Sequence, residues 1–215
     1  MMTSRPGIRN EDNHFENPWV ARRWKNCVVT TTPKPRRPDV EETDLVGGNE
    51  VRELTVVSYD DSWRAIFAAQ RERLLTALGS TPVEIEHIGS TSVPWLAAKP
   101  IIDILIIVDD ITAEEDYLDA LLAAGYQLRV REPGHRLVRT PARDVHVHIF
   151  ERDAPAVAEY LLLRDHLRSD AHDRELYAST KRALLGRRWD DMNAYADAKT
   201  EVILAIKARA RACRS

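Results

Sequence analysis

One stretch constrains this chain more than any other: Ile101-Ile102-Asp103-Ile104-Leu105-Ile106-Ile107-Val108, an apolar run interrupted only by Asp103. Its length and branched side chains read as a central strand, apolar on both faces, which needs a layer of structure on each side of its sheet. An ionised carboxylate in such a strand loses hydration and needs a partner. Asp103 is therefore either a metal ligand or general base at the mouth of the sheet, or the partner of Lys99 or of a helical arginine.

The flanking patterns supply the layers. Leu54-Thr55-Val56-Val57 predicts a first strand or extended arm. Asp60-Asp61-Ser62 then opens a helix that buries Trp63, Ile66, Phe67, Leu74 and Leu78 and stops at Gly79. A strand follows over Val83 to Ile88. Glu114 to Ala124 predicts a second helix with Leu118, Leu121 and Leu122 inward, and strands follow at Gln127 to Arg131 and His135 to Arg139. The alternation in Val145-His146-Val147-His148-Ile149 puts both histidines on one face of a further strand. From Asp153 onward the chain is helical, in segments opened by Asp153-Ala154-Pro155, Ser169-Asp170 and Asp190-Asp191. The fold class is α+β: a mixed sheet flanked by helices, then a helical C-terminal part.

Residues 1–50 contain Pro6, Pro18, Pro33, Pro35 and Pro38 among scattered charges and read as a disordered tail. Within it, Trp19, Val20 and Trp24 fit one helical turn, although a short isolated helix is marginal in water. The domain proper is 51–215, divided into a sheet-containing part over 51–152 and a helical part over 153–215. A formal charge of -3 gives no global basic footprint, so nothing points directly to nucleic acid and any polyanion site must be local. Cys27 and Cys213 lie near opposite ends and support no disulfide framework. With no signal-peptide pattern and no run of membrane-spanning length, a cytoplasmic setting without membrane contact is expected.

Chemistry concentrates at His87-Ile88-Gly89-Ser90-Thr91-Ser92-Val93-Pro94. Small side chains and open backbone N–H groups at Gly89, Ser90, Thr91 and Ser92 suit a phosphate, although such a corner also serves as a plain turn that caps a helix. Lys99, Arg164, Arg168, Lys181 and Lys199 are candidates for anionic substrate oxygens; Arg164 and Arg168, one helical turn apart, point the same way. Arg136, Arg139 and Arg143 add positive potential on the hairpin. His146 and His148, with Asp103 and His87, make a candidate zinc site; the plainer reading is a polar face that hydrogen-bonds substrate.

The segments Ser58-Tyr59-Asp60-Asp61-Ser62-Trp63, His87 to Pro94, Leu96-Ala97-Ala98-Lys99-Pro100-Ile101-Ile102-Asp103-Ile104, Val145 to His148 and Arg164-Asp165-His166-Leu167-Arg168 resemble, in order, the signatures of the GrpB family, also known as UPF0157. The resemblance implies a nucleotidyltransferase fold related to DNA polymerase beta, in a domain also found fused to dephospho-coenzyme A kinase. It implies a Gly-Ser corner for a nucleotide or other phosphorylated small molecule, and a catalytic group at Asp103 with His146 and His148. Active nucleotidyltransferases hold two magnesium ions on carboxylates two residues apart plus a third on a neighbouring strand. Position 105 is leucine and the neighbouring strand offers histidines, whereas magnesium prefers hard oxygen ligands. Two readings stay open: a transferase-like enzyme with a divalent metal, magnesium or zinc, or a non-catalytic module that binds a ligand or a protein partner and supports coenzyme A metabolism. Trp95 stands where the family has glycine, and its ring is expected to crowd the mouth of the pocket.

Overall fold

Two faces of one strand organise the molecule. In this computed structural model the described residues are 36–48, 50, 55–185 and 198–213. The strands are β1 (Asp44–Leu45), β2 (Glu84–Ile88), β3 (Ile102–Val108), β4 (Gln127–Glu132), β5 (His135–Arg139) and β6 (Val145–Glu151). They form one sheet in the order β1-β4-β5-β6-β3-β2. β3 runs parallel to β6, with Asp103 opposite His146 and Leu105 opposite His148. β2 pairs antiparallel to β3 with Ile88 opposite Asp103, and the β4–β5–β6 pairings are also antiparallel.

The helices are α1 (Ser62–Leu78), α2 (Leu118–Ala123), α3 (Pro155–Ser169), α4 (Ala171–Leu185) and α5 (Thr200–Ala212). On one sheet face Ile102, Ile104 and Ile106 join Val145, Val147 and Ile149 under Trp63, Leu74 and Leu78 of α1 and Leu118 and Leu121 of α2. Leu74 and Leu121 are fully buried, each contributing about 2 kcal/mol of transfer free energy. The opposite face packs Ile88, Leu105, Ile107 and Phe150 against Val157, Tyr160 and Leu161 of α3. A third cluster joins Val93 and Leu96 to Leu167, Tyr177, Ala178 and Ile206, fixing the segment after β2 onto α3, α4 and α5. The expected α+β plan is the one found.

Local details differ from expectation for identifiable reasons. The N-cap of α1 is Asp61, which makes no side-chain cap bond; Asp60 before it accepts the Ser62 N–H on Oδ1 at 2.8 Å. The predicted helix from Glu114 splits into a single 3₁₀ turn, Glu114–Asp116, and α2. Tyr117 breaks it: this buried residue leaves helical geometry to donate its hydroxyl to the Ile111 carbonyl at 2.7 Å. Of the predicted first strand, only a bridge from Val57 to Ala98 is seen among the described residues. Trp19, Val20, Trp24, Cys27 and the segment opened by Asp190-Asp191 lie outside the described residues.

The expected boundary at residue 50 moves. Residues 36–48 lie on the sheet, where β1 pairs with β4 and Asp39 accepts from Arg136 at 2.5 Å and from the Gly134 N–H at 2.6 Å. Arg36 and Arg37 make bidentate pairs with Glu151 and Glu115. Arg129 donates to the Val46 and Gly48 carbonyls, and Glu50 accepts from Arg139 and Arg143. The cause is electrostatic: Arg129 and Arg136 are buried in the sheet, and this segment brings the acceptors they need. Arg136 is thereby paired with Asp39 and Glu114, while Arg139 and Arg143 share Glu50 with Arg129.

Candidate functional site

β2 ends in a corner that only glycine can make. Gly89 has φ of 69°, and a Cβ there would lie 2.3 Å from Asp103 Oδ2, so backbone and carboxylate meet at a distance no side chain permits. The Ser90–Ser92 turn follows. Ser92 closes it by donating its hydroxyl to the Gly89 carbonyl at 2.6 Å, and Thr91 donates to the Ile101 carbonyl at 3.0 Å, tying the corner to the start of β3.

The corner and Asp103 share a cleft of about 110 Å³ lined by Ser90, Thr91, Lys99, Ile101, Asp103, Lys181 and Lys199. Lys181 arrives from α4 and is only 3% exposed. Its ammonium donates to Ser90 Oγ at 3.1 Å and to the Ala97 carbonyl, and sits 4.7 Å from the centre of the Tyr177 ring. Burial, reinforced by the charges of Lys199 and Arg182, pushes its pKa down to about 7. Burial lowers Lys199 as well, against the pull of Asp103. The cleft thus concentrates positive charge in a poorly hydrated space.

On the other side of Asp103 lie the two predicted histidines. His146 Nδ1 is 3.7 Å and His148 Nε2 is 3.9 Å from Asp103 Oδ1. Burial opposes ionisation of Asp103, but the neighbouring His148, His146 and His87 imidazoles outweigh it, holding the carboxyl below its usual range. The histidines flank the carboxylate without lining the cleft. His87 does not join them, because β2 alternates: Ile88 shares the Asp103 face, so His87 turns to the other, stacks on Phe67 of α1 and contacts Thr91 Oγ1 at 3.2 Å. Burial lowers its pKa to about 4.

The remaining predicted residues have other partners. Arg164 pairs with Glu86 at 2.6 Å and Asp165 at 2.8 Å, joining α3 to β2. Arg168 donates to the Ser92 carbonyl at 3.0 Å, supporting the corner from behind. Trp95 does not crowd the pocket: it is 75% exposed, adopts φ of 65° and lies against Arg174, with 5.4 Å from guanidinium carbon to ring centre. The positive φ explains why glycine suits this position.

Two magnesium ions do not fit these residues. Leu105 is fully buried among Ile107, Phe150 and Val157, so the place of a second carboxylate is a dry apolar contact. Nor do Asp103, His146 and His148 form a ready-made triad, since their ligand atoms do not all come within 4.8 Å of one another. Among the described residues His166, Asp170 and Asp173 meet that distance, but Arg209 already occupies the Asp173 carboxylate.

Sequence reasoning missed His135 and Glu132. His135 Nε2 lies 3.2 Å from His148 Nδ1, and His135 Nδ1 lies 2.6 Å from Glu132 Oε1. The available signal was a histidine at the start of the hairpin strand facing the paired histidines.

Comparison with known proteins agrees with this geometry. A UPF0157 protein of Streptomyces coelicolor is 62% identical over 186 residues, covering 86% of this chain and 100% of that protein. A dephospho-CoA kinase of Mycolicibacterium paratuberculosis is 31% identical over 177 residues, covering 68% of this chain and 43% of that protein. The crystal structure of the conserved protein GrpB from Enterococcus faecalis superimposes with a TM-score of 0.65 at 32% identity, covering 73% of this chain and 96% of that one. Residues 53–209 match the family described as GrpB protein, and the chain belongs to that family.

Proposed function

We propose that the cleft binds the phosphate of a nucleotide or other phosphorylated small molecule. The observation that carries this reading is the grouping of Lys181, Lys199 and Lys99 with the Ser90 hydroxyl around one small cleft, with Lys181 almost fully buried. Buried like charges repel, and a bound dianion relieves that repulsion. Ser90, at the corner, supplies a hydroxyl, and Asp103 is the acid available as a base. Transferase chemistry with Asp103 and a histidine is the further step of this reading, although the donor set does not favour paired magnesium.

The test is a thermal-shift panel of sulfate, pyrophosphate, nucleoside triphosphates and coenzyme A precursors, with and without magnesium, manganese and zinc. A ligand that binds only the native state raises its melting temperature. A shift that disappears in Lys181→Met supports the reading, and no shift with any anion sinks it. A second reading, an interaction module that assists dephospho-CoA kinase, is favoured by the kinase-named relative and by Leu105. An unresponsive panel together with measurable affinity for that kinase in a calorimetric titration supports it instead.

A further inference from the structure

Two groups of arginines on and beside the β4–β5 hairpin meet their acids in opposite proportions. Arg136 faces two carboxylates, Asp39 at 2.5 Å and Glu114 at 2.5 Å. Around Glu50 the proportion is reversed. Arg139 binds both oxygens of that carboxylate, at 2.8 and 3.0 Å, and Arg143 donates to Oε2 at 3.2 Å. Arg129 Nη1 stops 3.8 Å from Oε1, beyond hydrogen-bond length. One flat carboxylate therefore reaches two of the three guanidiniums. The side chains of Arg129 and Arg139 are only 10% and 11% exposed, and Arg139 Nε, also buried, has no acceptor among the described residues. Burial lowers the Arg129 pKa, and the fields of Arg139 and Arg143 lower it further against the pull of Glu50. Cations that repel one another in a poorly hydrated place suit an anion with more charge and more oxygens than a carboxylate has.

The acid and the arginines also differ in their place in the chain. Arg129, Arg139 and Arg143 lie within residues 53–209, the part that matches the GrpB family, whereas Glu50 precedes it, at the end of the segment docked on β4. That segment has other anchors: the β1–β4 pairing, Asp39 on Arg136 and Gly134, and the Val46 and Gly48 carbonyls on Arg129. It stays docked when Glu50 moves aside. Strand register then locates the arginines relative to the candidate site. Arg139 stands opposite His146, and His146 opposite Asp103, so the three share one face of the sheet. Two strand spacings separate Arg139 from Asp103 by about 10 Å.

We propose that Arg129, Arg139 and Arg143 form a second anion site, which takes the tetrahedral oxyanion of a phosphate or sulfate ester, and that Glu50 is its internal occupant, displaced when that group binds. A tetrahedral dianion offers an oxygen to each guanidinium, including the one that Glu50 fails to reach. Tethering gives Glu50 a high effective concentration at the arginines, so it excludes weakly held free anions and yields to a ligand that makes further contacts on the Asp103 face. The case for this site does not depend on the lysine cleft.

The test measures sulfate binding by calorimetry in the full chain, with Lys181→Met in every protein so that the cleft adds nothing. Glu50→Gln keeps the shape of the side chain and removes its charge. It is expected to bind sulfate about tenfold more tightly than the Lys181→Met parent, and Arg139→Gln in the same chain is expected to abolish the gain. Glu42→Gln removes an equal charge from an exposed part of the docked segment and should leave sulfate affinity unchanged. No gain in Glu50→Gln overturns the inference; so do equal gains in Glu50→Gln and Glu42→Gln, which reduce the effect to overall charge. Because Glu50→Gln leaves buried arginines without that acid, its fold is followed by circular dichroism. Recovery of folded signal or melting temperature by sulfate, measured against sodium chloride of equal ionic strength, supports the site. A Glu50→Gln chain that stays unfolded in sulfate assigns Glu50 to construction alone and overturns the proposal.

Discussion

Asp103 and Asp173 both sit beside imidazoles, and their surroundings differ in a way that separates recognition from construction. Asp173, 1% exposed, accepts two bonds from Arg209 Nε, one from Nη2 at 2.6 Å, and a contact with His166 Nε2 at 2.7 Å. Every acceptor position is used, and the cluster ties α3, α4 and α5 together. Asp103 has its imidazoles at 3.7 and 3.9 Å, a glycine against one oxygen and a cleft beside it. A saturated carboxylate holds a fold. An under-satisfied one in a preformed cleft is available to something else.

The sharpest way to break this contrast is to remove each acid. Asp173→Ala leaves Arg209 and His166 without their shared acceptor and should cost about 3 kcal/mol in urea unfolding, whereas Asp103→Asn should stay within about 1 kcal/mol of wild type. Equal losses would erase the distinction. Gly89→Ala comes next: forcing a Cβ against Asp103 at positive φ should cost about 2 kcal/mol and abolish any anion-induced thermal shift, because Ser90 and Asp103 move apart.

Acid sensitivity tests the other cluster. The Arg209 bonds, with a smaller contribution from His166 and against the opposing effect of burial, lower the Asp173 pKa to about 2. The folded value lies below the unfolded one, so the stability it contributes is present above about pH 4 and is lost as pH falls toward 2. Urea midpoints measured from pH 6 to 2 should fall more steeply in wild type than in Asp173→Ala. Binding has the opposite dependence, because the free Lys181 loses its proton as pH rises through about 7. Sulfate, a dianion throughout, should therefore bind progressively more weakly from pH 6 to 9, and a flat profile in calorimetry would remove Lys181 from the anion site. The smallest expected effect is at Trp95, which shares Gly89's positive φ but none of its crowding: Trp95→Gly should raise stability by about 0.5 kcal/mol in urea.

The strand through Asp103, the glycine corner and the histidine alternation were legible because each carries a strict local pattern: an apolar run, a small-residue turn, a period of two. The docking of residues 36–48 was not. Its contacts are salt bridges and carbonyl acceptors for Arg129 and Arg136, and acceptors leave no periodicity in a proline-rich sequence. His135 escaped for a related reason. Its approach to His148 depends on the β5–β6 register that sets Leu137 opposite His148, a pairing that spans a turn and is invisible within either strand. The pairing of Arg164 with Glu86 was equally hidden, because Glu86 lies on a strand far away in the sequence.

The parallel pairing of β3 with β6 also sets when the site can exist. Asp103 and His146 are about forty residues apart, and closing so long a loop is an entropically slow step compared with forming a hairpin. During synthesis the corner and its acid emerge first and remain unpaired until the β5–β6 hairpin has left the ribosome, and Lys181 and Lys199 follow later still. The assembled cleft is thus a late product of the chain's maturation, gained only by molecules whose C-terminal helices have packed onto the corner.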